Sequence, residues 1–365
     1  MTQLPKLVCF TTVVAGLIVL LTLYTVSTLR TADGDATVVG VNSAGYSVTD
    51  GWKALHFSKA AYCDVADLRH WGCGVTCANA TPEFQVFNIY ENNSTGNVGY
   101  SGVDHDAKRI VVAFRGTYNT VNWLQNLDFR LTSYPHPGCG NGCKIHRGFY
   151  KAYSSLRAQM IDDVLLLHAR YPLYTLFITG HSLGGAMAML AAVELATWNM
   201  LEGDVLGKGV QSRSAASPPL HLAPVELYTF GEPRVGNGYF SNWSLSVLTR
   251  KRSFRLTHAK DPVPHVPPRL FTYVHTPQEV WYPTDDEKYH LCQGTGTSED
   301  PLCSDSVLGT KVSDHLIYLG ICTRCECTAE EMEKIYSYEL PPEIYNIIAL
   351  DHAMNNPNFT GHRAL

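Results

Sequence analysis

Apolar and polar positions along this chain alternate in two periods, one of strands and one of helices. "FQVFNIYE" (84–91) and "VGYSGVD" (98–104) flank the turn-forming "NNSTGN" and read as a β-hairpin. "RIVVAFRG" (109–116) and "LYTLFITG" (173–180) are near-continuous apolar runs, as in strands buried on both faces. Between them Tyr150, Tyr153, Leu156, Met160, Val164 and Leu167 recur at helical spacing, which predicts a helix over 148–172 that ends at Pro172. "GGAMAMLAAVELATW" (184–198) is apolar on most sides and predicts a buried helix. Residues 52–68 also have roughly helical spacing, and "VELYTFGEP" (225–233) and "SFRLTHAKD" (253–261) supply two more strands. Strands and helices in alternation argue for an α/β fold with a central, mostly parallel sheet flanked by helices.

Two stretches fall outside this pattern. Residues 202–224 are rich in Gly, Ser and Pro and read as a surface loop. Residues 7–29 carry no charge and lie between Lys6 and Arg30. They fit a cleaved signal peptide, with small residues at 34–36, or an uncleaved signal-anchor able to span a bilayer. Either one sends the rest of the chain into the secretory pathway.

Cysteine usage points the same way. Cys9 lies in the apolar stretch; ten more follow it, an even number as paired disulfides require. "CTRCEC" (322–327) is the single candidate for a thiolate metal site, but an oxidising compartment favours disulfides there. Glycosylation sequons at Asn79, Asn92, Asn93, Asn242 and Asn358 fit lumenal or extracellular exposure. The net charge is −5 and no long basic cluster occurs, so nothing points to nucleic acid.

The chemistry concentrates at "ITGHSLGGAMAML" (178–190). A strand ending at Gly180 and a helix starting near Gly184 put Ser182 on a sharp turn, the setting that the G-x-S-x-G pattern of a nucleophile requires. A serine that merely caps a helix would also fit the pattern. The helix N-terminus adds free N–H groups that favour a developing oxyanion. A serine hydroxyl needs a base, and the base needs an orienting acid. Asp261 follows the strand 253–258, at the strand edge where active-site groups collect in parallel sheets. Glu194, Glu232 and Asp285 compete from a helix, a turn and a charged loop. For the base the later histidines are His265, His275, His290, His315, His352 and His362. His315 stands just before the apolar "LIYLG", which anchors its backbone; His352 and His362 lie in a polar tail.

Several of these stretches together resemble the class 3 lipases, the fungal triacylglycerol lipase-like family of α/β-hydrolases. "AAYC" (60–63) looks like the family's first helix and "VVAFRGT" (111–117) like its oxyanion strand. "HRGFYKAY" (146–153), "ITGHSLGGAMAML", "YTFGEPRVGN" (228–237), "THAKDPVPHVPP" (257–268) and "DHLIYLG" (314–320) complete the likeness, which covers about residues 50–327. It implies an α/β-hydrolase domain over 37–327, with 1–36 as the targeting segment and 328–365 as a C-terminal tail packed on the domain or extending from it. It implies Ser182 as nucleophile, His315 as base and Asp261 as orienting acid, with the backbone N–H groups of Leu183 and Thr117 as the oxyanion hole. It suggests a Cys63–Cys325 disulfide and local Cys73–Cys77 and Cys139–Cys143 bridges, which leaves Cys292–Cys303 and Cys322–Cys327.

The function implied is serine ester hydrolysis on lipids through an acyl-enzyme, with no cofactor or metal. "NTVNWLQNLDF" (119–129) looks like the family's lid: Val121, Trp123, Leu124 and Leu127 fall on one side of a short helix. An ordinary helix packed on the core would also fit. An apolar lid favours a triacylglycerol lipase working at a lipid–water interface. Phospholipase A1, other acylglycerol esterases and feruloyl esterase are the alternatives within the family. A non-catalytic lipid-binding surface protein is the alternative outside it.

Overall fold

The computed structural model describes residues 45–197, 224–248, 252–284 and 288–356. The apolar stretch 7–29 with Cys9, nearly all of the 202–224 loop, Asp285, Asn358 and His362 lie outside the described residues. Eight strands form the main sheet, and their order in space follows their order in the chain. They are β1 (Gln85–Asn92), β2 (Asn97–Asp104), β3 (Arg109–Phe114), β4 (Thr175–His181), β5 (Val225–Phe230), β6 (Ser253–His258), β7 (Glu279–Tyr282) and β8 (His290–Leu291). The hairpin β1–β2 and the pair β2–β3 are antiparallel; β3 to β7 run parallel, and β8 closes the edge antiparallel.

Period-2 alternation in the central strands feeds two cores. Ile110, Val112, Phe114, Leu176, Ile178 and Leu227 face helices α3 (Arg147–Arg170) and α4 (Leu183–Thr197). Val111, Ala113, Phe177, Tyr228 and Phe230 face the other way, against Ala54, Leu55 and Phe57 of α1 (Val48–Ala60). The helix expected over 52–68 is divided. Ser47 caps α1 by accepting from Asp50 N–H, and Asp64 starts a separate short helix, Val65–Arg69, by accepting from Ala66 N–H. A second cap inside an apolar period ends one helix and opens another.

All ten cysteines after Cys9 are paired: Cys63–Cys325, Cys73–Cys77, Cys139–Cys143, Cys292–Cys303 and Cys322–Cys327. The "CTRCEC" sulfurs are therefore held in disulfides. Cys63–Cys325 closes a separation of 262 residues. In the chain-entropy account a loop of that size is worth on the order of 5 kcal/mol. Of the sequon asparagines, Asn79, Asn93 and Asn242 are exposed, and Asn92 is half-buried with its Oδ1 accepting from Ser94 and Thr95.

The C-terminal part is not the polar tail that the sequence suggested around His352. Thr328 and Glu331 form a capping box for the helix Ala329–Tyr336. A longer helix, Pro342–Asn355, then buries Ile344, Ile348, Asp351 and His352. Their spacing puts all four toward one side, a pattern that the intervening Tyr345, Asn346, Ile347, Ala349 and Leu350 obscure in the sequence.

Candidate active site

The strand-to-helix turn between β4 and α4 holds Ser182 with φ at 61°, in the left-handed region that L-residues avoid. The fold determines this geometry from both sides. Ser182 N–H donates to Phe230 O of the neighbouring strand at 2.9 Å, and Ser182 O accepts from Gly185 N–H at 2.9 Å. Gly180 and Gly184 are required by close approach: a Cβ on Gly180 would meet the Gly184 carbonyl, and one on Gly184 would meet the Phe114 carbonyl. The glycines thus bring the helix N-terminus down onto β3 and β4.

Asp261 follows β6 and is held by three donors. His315 Nδ1–H donates to its Oδ2 at 2.9 Å, Tyr318 O–H to the same oxygen at 2.6 Å, and Val263 N–H to Oδ1 at 2.8 Å. A carboxylate only accepts, so the His315 proton sits on Nδ1 and Nε2 is left with a lone pair. Burial first, then the Asp261 charge and hydrogen bond, raise the Tyr318 hydroxyl well above its ordinary pKa, so it stays a donor.

His315 lies on the short helix α5 (Val312–Leu316). Its segment is laced to the acid loop. Thr310 and Lys311 N–H groups donate to Lys260 O at 2.9 and 3.0 Å, and Lys260 N–H donates to Asp314 Oδ2 at 3.0 Å. Ser182, Asp261 and His315 are 1%, 2% and 0% exposed, so the whole group is shut off from water. Ser182 Oγ and His315 Nε2 have no hydrogen-bond partner among the described residues. A buried donor and a buried acceptor left over in this way cost about 1–3 kcal/mol each.

Of the other candidate acids, Glu194 bonds Arg157 and Tyr153, while Glu232 is buried and its pKa is pushed up to about 7, mainly by desolvation. His265 and His275 are buried and their pKa values lowered, chiefly by desolvation. His290 sits exposed on the edge strand. None of these is hydrogen-bonded to Asp261 among the contacts described.

Thr117 and Leu183 are half-buried next to the serine. Gly116, directly before Thr117, lies so near that a Cβ there would be 3.0 Å from the Ser182 Cβ. The segment 119–129 forms a short helix, here α2 (Thr120–Gln125), with Asn119 accepting from Asn122 N–H. Leu124 is fully buried with Val263 and Val266, just beyond Asp261; Val121, Trp123 and Leu127 are half-buried. The Trp123 ring stacks on Phe149 with centroids 6.2 Å apart.

Three supporting residues carried no recognised signal in the sequence: Tyr318, His181 and Tyr62. His181 precedes the serine, and its Nε2–H donates to the His315 carbonyl at 2.7 Å. The opposite nitrogen must then accept, and Tyr62 O–H donates to it at 2.9 Å. Burial, and secondarily His315, hold the His181 pKa well below the ordinary value, which keeps this ring neutral. One hydrogen-bonded chain therefore runs from Tyr62 through His181 to the His315 backbone.

Gly231 supplies a specific test of this packing. Its φ is +55°, and a Cβ there would lie 2.7 Å from His315 Nδ1 and 2.8 Å from Asp261 Oδ2. Gly231→Ala should lower kcat on a soluble ester by about 100-fold or more, as a displacement near 1 Å does. An unchanged kcat would show that the His315–Asp261 contact is not needed.

Residues 111–271 match the family model described as Lipase (class 3); this stretch includes Ser182 and Asp261, and His315 lies beyond it. The chain is 33% identical over 273 residues to a lipase of Rhizomucor miehei, covering 73% of this chain and 67% of that protein. It is 30% identical over 284 residues to the secreted mono- and diacylglycerol lipase 1 of Fusarium solani, covering 74% of this chain and 75% of that one. Among solved structures, the triacylglyceride lipase of Rhizomucor miehei superposes with a TM-score of 0.64 at 29% identity, over 76% of this chain and 97% of that chain.

Proposed function

The chain belongs to the class 3 lipases, as a serine carboxylic-ester hydrolase acting on lipids, and on that premise we propose a lid-covered triacylglycerol lipase with Ser182, His315 and Asp261 as its catalytic residues. The observation that carries the residue assignment is the His315–Asp261 bond at 2.9 Å, with the Nε2 lone pair and the Ser182 hydroxyl both left unpaired in the same buried site.

His315 Nε2 takes the Ser182 proton as the serine oxygen attacks the ester carbonyl. The imidazolium that forms is stabilised by Asp261. The N–H groups of Leu183 and Thr117 donate to the carbonyl oxygen as it becomes an oxyanion. His315 then protonates the departing alcohol, and the acyl group stays on Ser182. Water, deprotonated by His315, attacks the acyl-enzyme and releases the fatty acid. These steps draw only on groups of this chain, the ester and water.

Helix α2 is the lid in this reading. Its apolar side packs over the acid loop in water and faces lipid when open. Each large apolar side chain moved from water to lipid gains roughly 1.5–3 kcal/mol, so several together bias opening at an interface. Fatty-acid release from a triacylglycerol, titrated through its solubility limit, should jump when droplets form. Replacing Trp123 and Leu124 with Ser should cut the rate on droplets at least tenfold, and full activity there would refute the lid assignment. The Fusarium solani relative favours a second reading, a mono- and diacylglycerol lipase. Hydrolysis of diacylglycerol with none of triacylglycerol would select it. Phospholipid hydrolysis alone would select phospholipase A1.

The disulfides support folding in an oxidising compartment, and residues 7–29 serve as the export segment. N-terminal sequencing of the exported protein separates a cleaved signal from a retained anchor.

A further inference from the structure

The helix Pro342–Asn355, here α6, lies beyond the stretch resembling the family. Its Ile344 and Ile348, one turn apart, pack in one cluster with Leu124 of the lid and with Val263 and Val266 of the acid loop. Leu124 is fully buried in that cluster. The same side of the helix carries a polar fastening. Asp351 Oδ1 accepts Leu270 N–H at 2.8 Å, and its Oδ2 lies 3.5 Å from Arg269 Nε and 4.0 Å from Arg234 Nη1. Asn356, the residue after the helix, donates to the Asp305 carbonyl at 3.2 Å. Away from the lid, Leu350 and Met354 stand 52% and 59% exposed, again one turn apart.

We propose that α6 is a latch: in water it holds the lid closed through Ile344 and Ile348, and at a lipid surface it lets go. The inference rests on the reading of α2 as the lid. An apolar contact between two helices is favourable because the alternative is water. Lipid is as apolar as isoleucine, so the contact loses its driving force once the helix meets an interface. Leu350 and Met354 are the groups that meet it first, and insertion of their side chains favours the lifted helix. The occupant of this face is the lipid surface that holds the substrate. Opening the lid without moving α6 would strip Leu124 from Ile344 and Ile348 in water, the costly direction.

The test compares the intact chain with the double variant Ile344→Ser/Ile348→Ser. Each is assayed on a water-soluble short-chain ester below its solubility limit and on triolein droplets. The latch predicts a rise of about tenfold on the dissolved ester, little change on droplets, and a jump at the interface smaller by the same factor. A folded double variant with the dissolved-ester rate and interfacial jump of the intact chain overturns the latch, while that jump keeps the lid reading. An intact chain that hydrolyses the dissolved ester but shows no jump overturns the lid reading itself. If the double variant does not fold, Asp351→Asn carries the same comparison, since it keeps shape and removes the charge from the fastening. Lipid contact is read separately from a bimane label on Met354→Cys, in the Ser182→Ala background. Its emission should move to the blue when droplets are added, and an unmoved emission overturns the proposed surface.

Discussion

Ser182→Ala should lower kcat on every ester substrate by about a million-fold and leave the protein no less stable than before. The two effects have one origin. The Ser182 hydroxyl is 1% exposed and unpaired among the described residues, on a backbone held at φ 61°. An unsatisfied buried hydroxyl costs stability, and alanine deletes it without altering the turn, which Phe230 O and Gly185 N–H hold through the backbone. In the proposed mechanism the strain and the unmet hydrogen bond at this position serve to aim the oxygen at the substrate carbonyl. In the same mechanism the residual rate over water is left to oxyanion binding by Leu183 and Thr117. Kinetics on a soluble ester and a thermal melt check both halves. A fluorophosphonate that still labels the Ala variant would move the nucleophile elsewhere.

Local pattern made the sheet and the serine legible. Apolar runs at 109–116 and 173–180 are central strands, and the small residues around Ser182 mark a turn that only glycine can line. Asp261 was readable because a parallel strand delivers its next residues to the active edge. The histidine was not readable in the same way. Six histidines follow Asp261, and what selects His315 is the lacing of Thr310, Lys311 and Asp314 to Lys260; Asp314 and Lys260 are 54 residues apart, a contact that no local period encodes. His181 stands beside the serine but carries no signal in the sequence, because its role depends on two distant partners, Tyr62 and the His315 carbonyl. The C-terminal helix was obscured for another reason. Its buried side mixes Ile344 and Ile348 with Asp351 and His352, and a buried aspartate paired with arginines looks polar until its partners are seen.

Asp261→Asn should lower kcat by about 10,000-fold while the fold and the oxyanion hole stay in place. The reason lies in the three donors that converge on this side chain. If the amide oxygen took the Oδ2 position, the amide N–H groups would face the Val263 N–H, donor against donor at 2.8 Å. The backbone at Val263 cannot change its role. The Tyr318 hydroxyl can rotate to accept, so the amide turns its oxygen to Val263 and its nitrogen to His315. Nδ1 must then accept, and the single proton of the neutral ring moves to Nε2, the nitrogen that should take the proton from Ser182. The base is thus occupied before the reaction starts, and an imidazolium formed against this arrangement has no carboxylate to stabilise it. Histidine NMR of the variant should find the His315 proton on Nε2, with the loss appearing in kcat more than in KM. A proton still on Nδ1 together with near-normal kcat would remove Asp261 from the triad.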